Sequence, residues 1–135
     1  MRSMFEDKNN KLMLMLLALP LLLPLMLLSC HSIAALPQEP SLQAGEDIEI
    51  LVANEAELYK YCLKLNAWLV AARKYVAHNH PADQFPYFAR FDSQYEGGGR
   101  EAGLRARIAY YKKYAEETNP IARSIYAKYS KTSLE

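Results

Sequence analysis

Apolar residues from the middle of the chain onward fall at Ile48, Leu51, Leu58, Cys62, Leu65, Leu69, Ala72 and Val76. After Leu58 the spacing alternates four and three, the period that lays one stripe of a helix against a partner helix. This predicts a long helix from about Asp47 to His78, opened by Glu46 and Asp47, whose charges complement the dipole of a helix start. Glu55 occupies the one seam position that is not apolar, while Tyr61 and Trp68 flank the seam and widen it. Asn79-His80-Pro81 ends the helix, because a residue before proline is pushed out of helical backbone angles.

In Asp83 to Glu96, Pro86 suits a first helical turn. Phe88, Phe91 and Tyr95 follow at spacings of three and four, so a short helix with an aromatic face is expected. Gly97-Gly98-Gly99 makes a joint. Arg100 to Thr118 is helical again, with Leu104, Ile108, Tyr111 and Ala115 on one face. Asn119-Pro120 then reads as an N-cap with proline at the first helical position, ahead of a last helix from Ile121 to about Lys131. One helix kinked at Pro120 is the alternative. The period-two alternation of a sheet is missing. The expected fold is all-α, a small helical bundle or hairpin with one long N-terminal helix packed against two or three shorter ones.

Leu12 to Leu28 carries no charge and follows Arg2, Lys8 and Lys11. All five Met lie at or before Met26, which sets this leader apart from the rest. As a helix it would rise about 25 Å, short of the roughly 30 Å of a hydrocarbon core, and Pro20 and Pro24 weaken a straight span. A retained anchor and cleavage near Ala34 are two readings of it. Leu27-Leu28-Ser29-Cys30 supports a third, since it resembles the lipobox of bacterial lipoproteins: an aliphatic residue, a variable one, a small one, then cysteine. The resemblance implies that residues 1–29 are a signal peptide and that Cys30 is acylated and becomes the first residue. His31 in place of Asp after the cysteine implies the outer membrane by analogy with the sorting rule of enteric bacteria. Residues 30–46, with Pro37, Pro40 and Gly45, then read as lipidated cysteine and flexible tether, and 47–135 as the helical domain.

From His31 onward the chain carries 13 basic and 13 acidic side chains, so its net charge of +1 resides in the leader. A neutral domain argues against nucleic acid as a partner, because phosphate binding needs a net basic footprint. The charges are segregated. Residues 31–59 hold six acids and no Lys or Arg, while 100–135 hold eight basic residues against four acids. An antiparallel packing would bring these ends together; otherwise the basic end faces a partner or anionic headgroups.

Candidate chemistry is sparse. His78, His80 and Asp83 are the only cluster of metal-ligand types, but a zinc site needs three or four convergent ligands, and the histidines sit two apart. No metal or cofactor is therefore expected, and a metal-binding protein or enzyme using this cluster is the lesser alternative. Cys62, on the apolar seam, is expected to be an inert buried thiol, with a Cys30–Cys62 disulfide open only if Cys30 is not acylated. Gly97 to Arg100 lacks the preceding strand and the Lys-Ser/Thr of a phosphate loop.

Tyr110, Tyr111, Tyr114, Tyr126 and Tyr129 alternate with lysines and arginines. They give either an interaction surface or a core in which tyrosine replaces leucine. Tyr111, Lys113, Tyr114 and Tyr126 are the candidate partner-binding residues. The expectation is a non-enzymatic, exported lipoprotein, anchored facing the periplasm, that acts as an interaction or structural component of the envelope, with a protein partner or self-association. A periplasmic helical chaperone-like binder is the other binding class.

Overall fold

The computed structural model describes residues 32–130. The expectations placed on the leader, Cys30 included, lie outside them. Among the described residues there are two α-helices and no strand, so the fold is all-α. Helix α1 is Ile48–Asn79 and helix α2 is Arg100–Tyr129. The predicted seam is the core: Leu58, Cys62, Leu65, Leu69, Ala72 and Val76 are all buried, as are Tyr61 and Trp68. Ile48 departs from it, being 51% exposed. From α2 the core takes Leu104, Ile108, Tyr111, Tyr114, Ile125 and Tyr129, among others.

The two helices run in the same direction. Glu55 meets Arg107, Cys62 meets the Tyr111 carbonyl and Asn66 meets Tyr114, at separations of 52, 49 and 48 residues along the chain. A near-constant separation is the mark of parallel neighbours; antiparallel ones would show a steadily changing one. The antiparallel packing considered for the charge halves is therefore not the arrangement. The acidic start of α1 instead meets the basic start of α2, through Glu46–Arg105 at 2.7 Å and Glu55–Arg107 at 2.5 Å.

Parallel pairing dictates the connection. A helix of 32 residues is about 48 Å long, and the chain between α1 and α2 must retrace that length, which requires extended backbone. The short helix predicted over Asp83 to Glu96 is accordingly absent, and the segment is non-helical throughout. Side chains take the place of helical bonds along it. Asn66 Oδ1 accepts from the Phe91 N–H at 3.2 Å and the Tyr110 hydroxyl accepts from the Asp92 N–H at 2.8 Å. The segment turns into α2 through Gly97 and Gly98, both at positive φ (72° and 105°), a region that favours glycine.

Pro120 lies inside α2, and the helix runs through it to Tyr129. One continuous helix, the alternative reading, is the observed one. A proline here forfeits a backbone bond, but Thr118, Ala122 and Ile125 on either side are buried against α1, and that packing holds the helix together. Asn119 is helical rather than a cap, and its Oδ1 accepts from the Tyr61 hydroxyl at 2.5 Å.

The stretch leading into α1 is extended, as its prolines require, and it lies along the helices. Trp68 Nε1 donates to the Ala34 carbonyl at 2.9 Å, Arg123 and Asn119 reach Glu39, and Gln43 and Asn54 exchange two bonds. Ile33 and Leu36 are half-buried on the core. Two parallel helices are thus flanked by two extended segments running the opposite way.

Candidate functional site

The tyrosines of α2 are buried (Tyr111, Tyr114, Tyr129) or half-buried against the core (Tyr110, Tyr126), according to the face they occupy. Phe91, from the crossover, is the centre of the aromatic cluster. Tyr59, Tyr110, Tyr111 and Tyr114 have ring centroids 5.1 to 5.8 Å from it. Tyr111 and Tyr114 are 3% and 4% exposed. Burial pushes both phenols above their ordinary range, so they stay neutral and serve as packing groups. Two of the four expected partner-binding residues therefore face inward, because their positions fall on the stripe of α2 that α1 and the crossover cover. Lys113 is exposed, 3.9 Å from Glu117, and Tyr126 is half-buried against the core. The four do not form one surface.

The His78, His80 and Asp83 cluster does not converge either. His78 is exposed on the last turn of α1, whereas the His80 ring lies 4.9 Å from that of Tyr129. Asp83 Oδ2 accepts from the Tyr129 hydroxyl at 2.7 Å and from Lys128 Nζ at 3.0 Å, and these two donors hold its carboxyl below the usual range. This clasp fixes the start of the crossover to the end of α2. Among the described residues, no three His, Cys, Asp or Glu side chains are gathered to hold a metal ion. Cys62 is fully buried and its thiol is pushed up to about 12 by desolvation, which leaves it without nucleophilic character at neutral pH.

The surface that sequence reasoning missed is on the crossover. Gln84 to Phe88, with Arg73 and Arg90, line an open groove of about 650 Å³. Tyr87 is 88% exposed beside it, and the Arg73 guanidinium lies 5.4 Å from the centre of the buried Phe88 ring. Two guanidinium groups, an exposed ring and no acid make a wall suited to an anionic or aromatic side chain of a partner. Its signal in the sequence was Phe-Pro-Tyr-Phe: a helix would have faced Phe88 and Phe91 inward, and only the extended backbone turns Tyr87 outward between Pro86 and Phe88.

No helix among the described residues is long and apolar enough to cross a membrane. Outer membrane lipoprotein BBA14 of Borreliella burgdorferi is 34% identical to the chain over 112 residues, which cover 82% of this chain and 89% of that protein. The model of the Borrelia orf-D family matches residues 35–131, which take in the extended lead-in, both helices and the crossover between them, and the chain belongs to that family.

Proposed function

We propose that this protein is a lipid-anchored component of the bacterial outer membrane and that it works by binding a partner. The observation that carries the reading is Cys30 at the end of an apolar leader, in a chain whose relative over most of its length is named an outer membrane lipoprotein. Acyl chains on Cys30 would supply about 0.8 kcal/mol per buried CH₂, and two or three such chains give a durable anchor. Only His31 and Ser32 separate Cys30 from Ile33, which is half-buried on the core. That stretch reaches about 10 Å at most, so the anchor would hold the helical pair close to the membrane surface rather than far out on a tether. A binding role agrees with the way the polar groups are used: Asp83, Glu55 and Cys62 are engaged in holding the fold.

Cys30→Ser tests the anchor. The variant loses fatty-acid labelling and moves to the soluble fraction. A variant that stays in the membrane without labelling would instead make the leader an uncleaved span, and one that keeps its label would place the acyl group elsewhere.

A further inference from the structure

Beside its buried seam, α1 carries a second apolar stripe that the rest of the described chain leaves largely open, reaching it at Tyr59, whose ring packs on Phe91 and Tyr111. Ile48, Val52, Ala56, Leu63 and Ala67 are exposed, and Tyr59 and Val70 between them are half-buried. The spacing runs four, four, three, four, four, three, an eleven-residue repeat close to the helical period, so the stripe stays on one face for about 33 Å. No charged residue interrupts it. Ile48, Val52 and Leu63 are 51%, 51% and 39% exposed, half of the large hydrophobic residues exposed among those described.

We propose that this stripe is the contact between two copies of the chain, paired antiparallel about a two-fold axis beside Tyr59. This deepens the binding reading by naming the partner, and it does not depend on the anchor. Both side-chain size and charge point to a second copy. In that register Val52 of one copy lies opposite Ala67 of the other, and Ala56 lies opposite Leu63, so a large residue meets a small one at these two levels. Ile48 meets Val70. Along the open flank of the stripe, Glu49 comes within a turn of Lys74 of the other copy. Near the axis Lys60 of each copy faces Lys60 of the other, each with its own Glu57 3.1 Å away to offset the repulsion. A parallel pairing would set Glu49 against Glu49 and Lys74 against Lys74, so charge selects the antiparallel register.

The test uses the full-length protein in membranes. Two differently tagged copies, one Ala56→Cys and one Leu63→Cys, are produced together and oxidised. A mixed-tag disulfide dimer is expected from the pair, and loss of that band when Val52→Glu is added to both copies. The exposure of Val52 lets the charge be tolerated in the monomer, which retained helical circular dichroism would verify. The pairing is overturned if the mixed-tag band is absent, if Ala56→Cys alone gives as much dimer as the pair, or if the cysteines bridge only to a different protein. Acyl labelling and fractionation of the same samples read the anchor separately, so failure of one reading leaves the other visible.

Discussion

Trp68 Nε1 donates to the Ala34 carbonyl across 2.9 Å, and this bond ties the last third of α1 to the chain just after the proposed anchor. Trp68 is the only tryptophan in the chain and is 7% exposed, so its emission reports whether the extended lead-in is docked. Leu36→Ser removes a half-buried apolar contact from that lead-in, at a cost of about 1 kcal/mol. The expected outcome is a red-shifted Trp68 emission, faster amide exchange at residues 33–43 and an unchanged helix content. An unshifted emission would mean that the lead-in is held by Glu39 and Gln43 rather than by its apolar side chains.

Glu55 and Arg107 form the polar joint between the helix starts. Their side chains are 21% and 26% exposed, and the bond to Glu55 raises the Arg107 pKa further above its ordinary value. Partial hydration limits what the pair is worth. A double-mutant cycle with Glu55→Gln and Arg107→Gln should give a coupling of about 1 kcal/mol, falling as salt is raised. Coupling indistinguishable from zero at low salt would leave the joint without energetic weight. Glu55→Leu makes the seam continuous on paper but strands Arg107, so it should not gain the full stability of an added leucine.

The same pair shows what could be learned from sequence. The four-three spacing identifies α1 and its buried face, because helical periodicity is local. Glu55 appears there as a break in the pattern, but its partner does not, since an ion pair between helices depends on how they are juxtaposed. Parallel pairing is equally invisible: nothing in either helix encodes direction, and it is decided by a connection long enough to return. Once that connection must be extended, Phe88 and Phe91 still point inward, but Tyr87 is displayed, and a pattern that fits a helix becomes misleading. Pro120 misleads in the other direction, because packing on both sides of it outweighs the lost backbone bond. The tyrosines were legible as a cluster. That they belong to the core rather than to an open surface was not, since tyrosine satisfies either environment.

Stability should fall at both ends of the pH scale for identifiable reasons. Asp83 is held below the ordinary carboxylate range by the Tyr129 hydroxyl and Lys128. Its contribution is therefore present above the unfolded value of about 3.9 and is lost as pH falls through the lower folded value. Asp83→Asn should be less stable than the parent at neutral pH, with the gap closing in acid. Tyr61, Tyr111, Tyr114 and Tyr129 are displaced upward, in each case chiefly by burial. Folding binds their protons more tightly, so their contribution is intact below about pH 10 and is lost as pH rises through the raised values. Phenolate absorbance should consequently develop in two stages, with these four tyrosines ionising late and together with the loss of helix. Tyr114→Phe should lower stability at neutral pH by about 1 kcal/mol through the lost bond to Asn66 and flatten the alkaline decline. A single-stage titration complete before the helices melt would show that the cluster around Phe91 admits water, which would remove the aromatic clamp as the reason the crossover stays in place.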